Sequence, residues 1–397
     1  MPQPSHLVLS ASRGAVFQLD EDGHFIALPT PTGQPIFGVT SHHITVFAAF
    51  SQPSTISGAR ARLAAEPTAA PVDPLIDDLL NWGLLTVEGT ARGHQGGFGH
   101  IEAHLPMLAD TRRVHAYADA IRAHAPGRTV AELGCGTGIL SLLAAEAGAE
   151  WVWAVEESDI ANVADEVLHA HRRRGTVRVE RANSFDVAPS GPVDLLIHEL
   201  FGVDPLEENI LRIIEDARER WLKPGGRLLP MGFAIRACAV GGPRWRHGSE
   251  SRQRVRRLAD ELKIDLDPVL RASEKTPIRR IDPPTIQPTN EECLSEPITL
   301  LEVDFRSAAM APGRADHTAV IRHEGDVGAI LVWFEIQLDE TRSLAASPFS
   351  EPTHWQWQVW DLPETISVAP TRPVTVRVEL RTTEGCPQIE VVDVRAG

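Results

Sequence analysis

The chain has 397 residues, and its 38 basic and 54 acidic side chains give a formal net charge of −16. This length exceeds what one compact core usually spans, and a content of 43% apolar and 23% charged residues excludes a disordered polymer. The acidic excess argues against a surface that binds nucleic-acid phosphates or anionic lipid, because both need clustered positive charge. It is compatible with a cationic substrate.

Several other classes of protein are disfavoured by simple patterns. No segment approaches the ~20 apolar residues that a membrane helix needs, and the first ten residues lack the basic and apolar regions of a secretory signal. The four cysteines and sixteen histidines show no spacing typical of a zinc site or a disulfide framework. We therefore expect a cytoplasmic protein with no membrane or nucleic-acid partner, and we assign no metal ligand.

Residues 1–90 predict a small α+β module. Strand-like runs between residues 6 and 28 are separated by turn residues, which favours hairpins. A helical pattern over 77–85 contains Gly83 as a plausible C-cap before a short strand. The segment Ala64–Pro74, rich in Ala, Pro and Thr, is predicted to be an exposed loop.

Residues 91–230 alternate between strand and helix patterns. The predicted strands are 129–133, 151–155, 177–179 and 193–197, and the predicted helices are 139–147, 160–171 and 209–221. This alternation indicates a doubly wound parallel sheet, which is a Rossmann-like α/β domain.

In residues 231–397 the strands lose their helical partners. The predicted strands are 234–240, 298–305, 318–322, 329–338, 356–360 and 374–380, which together indicate an antiparallel sheet or β-barrel. An arginine-rich helix over 249–263, followed by Pro-rich sequence to about residue 290, interrupts this domain.

A glycine-rich loop, Gly134-Cys135-Gly136-Thr137-Gly138, follows the first buried strand and precedes a helix. Its spacing is G-x-G-x-G rather than the G-x-G-x-x-G of dinucleotide sites, and an acid, Glu132, precedes it within the strand. A second acid, Glu156, ends the next strand, where a carboxylate can accept hydrogen bonds from two ribose hydroxyls. The alternative is that Glu156 is only a solvated strand end.

This combination resembles the class I S-adenosylmethionine-dependent methyltransferases. The resemblance implies that Gly134, Cys135, Gly136 and Gly138, with Glu132, hold the methionine portion of S-adenosylmethionine and that Glu156 holds its ribose. It also implies that adenine lies near Asn183 and Ser184. Asn183 stands where that family commonly has an acid that contacts adenine, and Asp186 is an alternative candidate for that contact.

Two carboxylates flank a loop at the end of the fourth predicted strand. Glu199 and Glu208 lie nine positions apart at the sheet edge where open parallel sheets bind substrates. Converging carboxylates there can clamp a guanidinium, whose planar donors suit bidentate pairing. The alternative is that Glu207 and Glu208 only cap the helix that begins at 209.

This region resembles the protein arginine methyltransferases. Glu199, Gly202 and Glu208 match their S-E-x-x-G-x-x-x-x-x-E loop, with His198 in place of the serine. Other matching segments are His104–Arg113 against I-H-x-x-M-L-x-D-x-x-R, Leu222–Pro230, Val332–Glu335 against the W-F strand, and Thr353–Trp355 against the T-H-W loop.

The resemblance implies a role for several residues. Arg113 contacts the cofactor carboxylate and Met107 lines the reacting centre, while Glu199 and Glu208 bind the substrate nitrogens. Asp110 pairs with His354 to carry away the proton lost after transfer. Trp355 and His104 are implied to contact the substrate.

Two departures from the family pattern leave the acceptor open. His198 alters the wall of the substrate pocket, and the family's N-terminal tyrosine motif has no counterpart near 94–98, because Tyr117 is the only tyrosine. An arginine or a terminal amine of a peptide or protein fits an acidic pocket. A small-molecule amine and an inactive, scaffold-like methyltransferase remain alternatives.

The segment from about 245 to 290 lies where the family carries a dimerisation arm, which implies a head-to-tail homodimer. Residues 1–90 weakly resemble PqqD-like winged-helix modules, which bind leader peptides of ribosomally made precursor peptides, usually as an added β-strand. This resemblance implies a precursor-peptide substrate. The alternative is an extension that only supports the cofactor domain.

Overall fold

The structure is a computed structural model. It describes residues 8–11, 16–19, 25–28, 36–51, 54–63, 71–82, 84–87, 99, 101–173, 175–206, 209–273, 277–280, 287–307, 313–383 and 386–397. The chain forms two compact units, one of residues 1–106 with 157–163 and one of residues 107–156 with 164–397.

The described part of residues 1–100, in the first unit, contains two small antiparallel sheets and three helices. Its elements are β1 (Val8–Ala11), β2 (Val16–Leu19), β3 (Phe25–Leu28), β4 (Ile36–Val39), α1 (Ser41–Ala48), β5 (Ser54–Thr55), α2 (Ile56–Leu63), α3 (Val72–Asn81) and β6 (Leu85–Val87). One sheet has the order β5-β1-β6 and the other β2-β3-β4. Both pack around apolar side chains such as Val46, Phe50 and Leu79, which are fully buried.

The first unit confirms the predicted hairpin pairing of β2 with β3. The predicted helix over 77–85 was misplaced, because α3 begins at Val72 and ends at Asn81. Pro74 therefore lies in the first turn of α3 and not in a loop; proline is tolerated there because first-turn N–H groups have no intrahelical acceptor. Gly83 lies outside the described residues.

The next elements build a five-stranded parallel sheet. They are α4 (Ile101–Ala109), α5 (Thr111–His124), β7 (Thr129–Leu133), α6 (Ile139–Glu146), β8 (Trp151–Glu156), α7 (Ala161–Ala170), β9 (Val177–Arg181), β10 (Val193–His198), α8 (Ile210–Trp221) and β11 (Leu222–Leu229). The strand order is β11-β10-β7-β8-β9, and all four pairings are parallel. The chain runs outward from β7 to β9 and returns to β10 on the other side. The topological switch point, where open α/β sheets bind ligands, thus lies between β7 and β10.

Antiparallel strands follow in the same unit. They are β12 (Gly232–Gly241), α9 (His247–Leu262), α10 (Asp267–Ser273), β13 (Ile278–Arg280), β14 (Ile298–Asp304), β15 (Gly313–Ala319), β16 (Gly325–Gln337), β17 (Ser343–Ala345), β18 (Gln358–Val368), β19 (Val374–Thr383) and β20 (Cys386–Ala396). One sheet has the order β13-β18-β16-β12-β14, with β17 beside β16, and the other β15-β19-β20. Because β14 adjoins β15 and β18 adjoins β20, the two sheets form a barrel-like domain.

The α/β alternation and the antiparallel barrel-like domain confirm the predicted fold class. The strand expected at 318–322 was wrong, because β15 runs from Gly313 to Ala319. Elements of the second unit that were not predicted include α5, β11, α10, β13, β17 and β20; α10 has seven residues and lies in the stretch interpreted only as Pro-rich. None of the described helices is both long and apolar enough to cross a membrane.

Candidate active site

The glycine-rich loop follows β7 at the switch point. Gly134, Gly136 and Gly138 all have positive φ, at 63°, 52° and 79°, a region that side chains disfavour. A Cβ on Gly134 would lie 2.7 Å from the Leu200 side chain, and one on Gly138 would lie 3.1 Å from the Ala164 Cβ. The loop therefore needs glycine, and its backbone can approach a ligand closely.

Two carboxylates stand beside this loop. Glu156, at the end of β8, accepts a hydrogen bond from the Gly136 amide at 3.0 Å. Glu132 lies inside β7, is 2% exposed and accepts a hydrogen bond from the Ser141 hydroxyl. Burial raises the pKa of Glu132 to about 8, with a smaller contribution from the charge of Glu156. The thiol of Cys135 is buried as well, and burial raises its pKa.

The segment after β9 is shaped by its own polar groups. Asn183 Oδ1 accepts a hydrogen bond from the Phe185 amide at 3.0 Å, and the Asp186 amide donates to the Asn183 carbonyl at 3.0 Å. Arg220 of α8 donates to the Ser184 carbonyl at 2.6 Å. The predicted adenine-binding segment is thus a turn anchored to α8, and its ligand contacts stay predictions.

The first turn of α5 brings together residues from distant parts of the sequence. Asp110 is the N-cap, and its Oδ1 accepts from the Arg113 amide at 2.9 Å. Its other oxygen accepts from the His354 amide at 2.8 Å and lies 3.0 Å from His354 Nδ1. The predicted pairing of Asp110 with His354 is therefore present. Although burial works to raise it, the hydrogen bonds from Arg113 and His354 hold the pKa of Asp110 below its usual value.

His354 also packs on Trp355, with ring centroids 4.4 Å apart. Burial lowers the pKa of His354, while the charges of Glu199 and Asp110 oppose that shift. The imidazole is consequently neutral at physiological pH. Trp355 is 3% exposed, and its indole N–H donates to the Phe201 carbonyl at 2.8 Å.

Glu199 follows β10 and forms an ion pair with Arg113, through Oε2 and Nη2. Both side chains are almost completely buried, at 6% and 7% exposure. Arg113 Nη1 donates to the Met107 carbonyl at 2.9 Å, whereas its Nε has no hydrogen-bond partner among the described residues. The structure thus joins Glu199, Arg113 and the Met107 carbonyl, and the roles predicted for these residues stay predictions. Glu208 lies outside the described residues.

Tyr117 is a further buried polar residue, close to Glu199 and Arg113, that was not predicted from the sequence. It lies one helical turn after Arg113, is fully buried, and its hydroxyl has no hydrogen-bond partner in the described part of the chain. Burial and the nearby charge of Glu199 raise its pKa well above the usual value. Its position four residues after Arg113 was the available signal, because that spacing places both side chains on one helix face.

His198 does not stand in an open pocket wall. It is fully buried, and its ring lies 5.0 Å from that of Phe305 and 5.9 Å from that of Phe201. Burial lowers its pKa to about 3, so the ring is neutral. The expectation that His198 shapes the wall of the substrate pocket was wrong, because the side chain points into this aromatic core. His104 is a buried residue of α4 in the first unit, and its substrate contact stays a prediction.

One group of side chains has the geometry of a metal site. His124, Asp339 and Glu340 offer ligand atoms within 4.8 Å of one another. Arg342 already pairs with Asp339, and Arg227 Nη1 lies 2.8 Å from Glu340. These arginines neutralise the carboxylates, so the group is an ion-pair network that links the end of α5 to the β16–β17 turn.

Comparisons with known proteins find similarity to arginine methyltransferases. Residues 262–393 match the family described as the arginine methyltransferase oligomerization subdomain. The chain is 30% identical over 344 residues to the probable protein arginine N-methyltransferase 3 of Arabidopsis thaliana, which covers 78% of this chain and 54% of that relative. It is 28% identical to the arginine N(omega)-methyltransferase of Streptomyces achromogenes subsp. streptozoticus, over 68% of this chain and 73% of that relative.

Among solved structures, the PRMT1 enzyme–prozyme heterotetrameric complex of Trypanosoma brucei with AdoHcy superposes with a TM-score of 0.62 and 23% identity. The superposition covers 72% of this chain and 90% of that one. The fold is that of the protein arginine methyltransferases. The comparisons confirm the predicted fold class and support the predicted methyltransferase class and its S-adenosylmethionine cofactor.

Within the arginine methyltransferase fold, residues from three predicted motifs interact with Arg113 in the second unit. Glu199, which follows β10, pairs with Arg113, and the charge of Arg113 also acts on Glu132 within β7 and on His354 of the T-H-W segment. The chain spans only about half the length of the Arabidopsis relative.

Proposed function

We propose that the protein is an S-adenosylmethionine-dependent N-methyltransferase that acts on the guanidinium group of arginine in a peptide or protein. The observation that carries this proposal is the buried pair of Glu199 and Arg113. Glu199 lies at the ligand-binding edge of the sheet, and its partner in this structure is itself a guanidinium. A carboxylate that accommodates one guanidinium at this edge is suited to bind another.

The residues present fit the cofactor. Gly134, Gly136 and Gly138 carry no side chain, so a ligand can approach the loop backbone closely, and Glu156 stands beside the loop at the end of β8. The buried Arg113 Nε and the Tyr117 hydroxyl lack partners among the described residues, and so are polar groups that a bound ligand can satisfy. Arg113 would hold the cofactor carboxylate and Glu156 the ribose. When bound, S-adenosylmethionine supplies a methyl group attached to a positively charged sulfur.

The chain's own residues account for substrate activation. A guanidinium has a pKa above about 12 and its nitrogens are weak nucleophiles while they share the positive charge. Glu199, together with Glu208 if it converges as predicted, holds the charge on the nitrogens that do not react. The reacting nitrogen is thereby left with more electron density.

His354 is suited to accept the proton that is lost after transfer. Its Nδ1 lies 3.0 Å from Asp110 Oδ2, so the hydrogen on Nδ1 is donated to that carboxylate and Nε2 is left as the base. Because burial lowers the pKa of His354, the ring is in its neutral, accepting form at neutral pH.

The test is a mass measurement with Glu199→Gln. Glutamine keeps the shape of the side chain but removes its charge, so we expect methylation of arginine peptides to fall by at least about 100-fold while cofactor binding persists. The matched control is Glu219→Gln, because Glu219 is an exposed acid on α8 and pairs only weakly with Arg218. Unchanged turnover by Glu199→Gln would refute the proposed role.

A second acceptor is favoured by one of the comparisons. The Streptomyces relative is named for arginine and not for protein arginine. Free arginine, and small-molecule amines more generally, are therefore the alternative substrates. Incubation with arginine peptides, amine-terminated peptides and free arginine, followed by intact-mass analysis, separates these acceptors.

We further propose that the first unit binds the substrate peptide as a PqqD-like leader-recognition module, so that the substrate is a ribosomally made precursor. Support comes from its small sheets beside three helices, and from β4, which pairs only with β3 and has an open edge among the described strands. Intact-mass analysis of a neighbouring precursor peptide after co-expression with the full chain tests this proposal. Equal methylation of the precursor with and without its leader would contradict it.

The protein is also proposed to act as a cytoplasmic homodimer that assembles through the arm of α9 and α10. Leu258, Leu262, Ile264 and Val269 on this arm are large apolar residues with exposures of 46–56%. Four such side chains on one short segment favour association with another protein surface. The match to an oligomerization subdomain supports the same proposal.

A further inference from the structure

Arg112 ties the start of α5 to a segment more than 230 positions away in sequence. Its Nη1 donates to the Ala345 carbonyl at 3.1 Å, to the Ser350 hydroxyl at 3.0 Å and to the Glu351 carbonyl at 2.8 Å. All three acceptors belong to the segment that leads from β17 into Thr353-His354-Trp355. One half-buried guanidinium therefore gathers both ends of this segment.

The segment itself has little regular structure to hold it. Between β17 and β18 it forms only turns, in which the Ser350 amide donates to the Ser347 carbonyl at 3.3 Å and the Phe349 amide to the Ser347 hydroxyl at 3.1 Å. Phe349 is 42% exposed, although its ring contacts Trp333. Outside contacts such as those from Arg112 thus carry much of its order.

Arg112 is a neighbour of two site residues on the same helical turn. Asp110 holds His354 and Arg113 holds Glu199, while Arg112 holds the chain just before His354. In the motif I-H-x-x-M-L-x-D-x-x-R, position 112 is one of the unspecified positions. The contact therefore belongs to this chain's own sequence and not to the motif.

We propose that Arg112 is a positioning residue that fixes the segment 346–352 against α5 and thereby sets the place of His354 relative to Glu199. This inference rests on the proposed function, because it gives His354 a task in the reaction. A guanidinium presents several N–H groups in one plane, whereas an ammonium is a compact point charge. Lysine at this position would consequently restore the charge but only part of the contacts.

The first test does not depend on activity. Arg112→Met removes the donors but keeps most of the stem, and hydrogen–deuterium exchange of the whole protein without substrate should speed up at least about tenfold within 346–355. Arg122→Met is the matched control, because Arg122 lies on the exposed side of the same helix, where it pairs with the exposed Asp119. Unchanged exchange within 346–355 of Arg112→Met overturns the proposal.

The second test follows the imidazole of His354 by NMR, with His354→Asn to assign its signal. Burial keeps the pKa of His354 low, and the ring also faces Asp110, Glu199 and Arg113. Once the segment loosens, we expect that pKa to rise toward its usual value in Arg112→Met, and to a smaller extent in Arg112→Lys. An unchanged pKa would mean that Arg112 does not position His354.

The kinetic readout separates positioning from general stability. We expect kcat for arginine peptides to fall about 10- to 100-fold in Arg112→Met, with cofactor Kd changed less than about twofold. A parallel loss of Tm and cofactor binding would indicate a merely structural role and overturn the proposal. If the wild type methylates no acceptor, the proposed function fails, while the exchange and NMR measurements still decide whether Arg112 positions His354.

Discussion

The Asp110 carboxylate contacts His354 twice: it accepts a hydrogen bond from the His354 backbone amide at 2.8 Å and lies 3.0 Å from Nδ1 of the His354 ring. The two residues are 244 positions apart. Since Asp110 is also the N-cap of α5, the same carboxylate starts the helix and orients the histidine. The Asp110 side chain thus connects the start of α5 to the segment between β17 and β18 of the barrel-like domain.

Replacing this carboxylate should change the pH dependence of the reaction. In Asp110→Asn the helix cap is retained, because Asn is a good N-cap, but the negative charge beside His354 is lost. That charge favours the protonated imidazole, so its removal should lower the pKa of His354 further and move the acidic limb of the kcat–pH profile to lower pH. We expect kcat at the optimum to fall about 10- to 100-fold.

The control is Asp119→Asn, an exposed acid later in α5. It should leave both the limb and kcat unchanged. A limb that moves to higher pH in Asp110→Asn would contradict the assignment of His354 as the base.

Removing one member of the buried ion pair should destabilise the fold. In Arg113→Met, Glu199 is left charged at about 6% exposure, which should cost about 3–5 kcal/mol of unfolding free energy. The double variant Arg113→Met/Glu199→Gln should recover part of that loss, because neither member of the pair is then left as an unpaired buried charge. The free energy of unfolding is measured by urea denaturation without cofactor, at the first unfolding transition.

The matched comparison is Arg227→Met, whose partner Glu340 is 57% exposed. This surface pair should change stability by less than about 1 kcal/mol. Equal effects of the two arginine variants would show that burial of the Arg113 pair is not what makes it important.

Glu132 should make the protein less stable as pH rises. Its pKa is raised from the model-compound value of 4.5 to about 8 in the folded state, so between these pH values the folded state binds more protons than the unfolded state. Stability is therefore fully present below about pH 4.5 and lost progressively toward pH 8. The expected loss is about 2–5 kcal/mol.

Glu132→Gln should abolish most of this dependence and raise the urea midpoint at pH 8 relative to wild type. Glu150→Gln, a change at an exposed position just before β8, is the control and should reproduce the wild-type profile. If wild type and Glu132→Gln lose stability in parallel between pH 5 and 8, the proton that stabilises the folded state at low pH is not bound by Glu132.

Charges placed on the arm should prevent dimer formation. Leu258→Glu/Leu262→Glu puts two carboxylates on its exposed apolar residues, and we expect the mass from light scattering to fall from that of a dimer to that of a monomer. Glu261→Arg is the control on the same helix and should stay dimeric. A wild-type chain that is monomeric at every concentration would refute the proposed dimer.

Local pattern was enough to predict most of the second unit. β7 was predicted without error and β8, β10 and α6 within one residue at either end, because buried parallel strands and the helices between them have strong, regular patterns. The first unit was harder: α3 begins with Val72-Asp73-Pro74, where proline suggested a loop. A proline signals a break only when the residues before it are already helical.

For the site, the sequence by itself determined which chemical groups are available: the glycine loop, the acids Glu132, Glu156 and Glu199, and the T-H-W segment. The tertiary structure alone decided which of them meet. It buries Glu199 against Arg113 and places the His198 side chain within an aromatic core. It also makes Arg112, at an unspecified motif position, the anchor of the segment before His354. Such contacts join residues 86 to 239 positions apart, and chain spacing carries no information about distances of that kind.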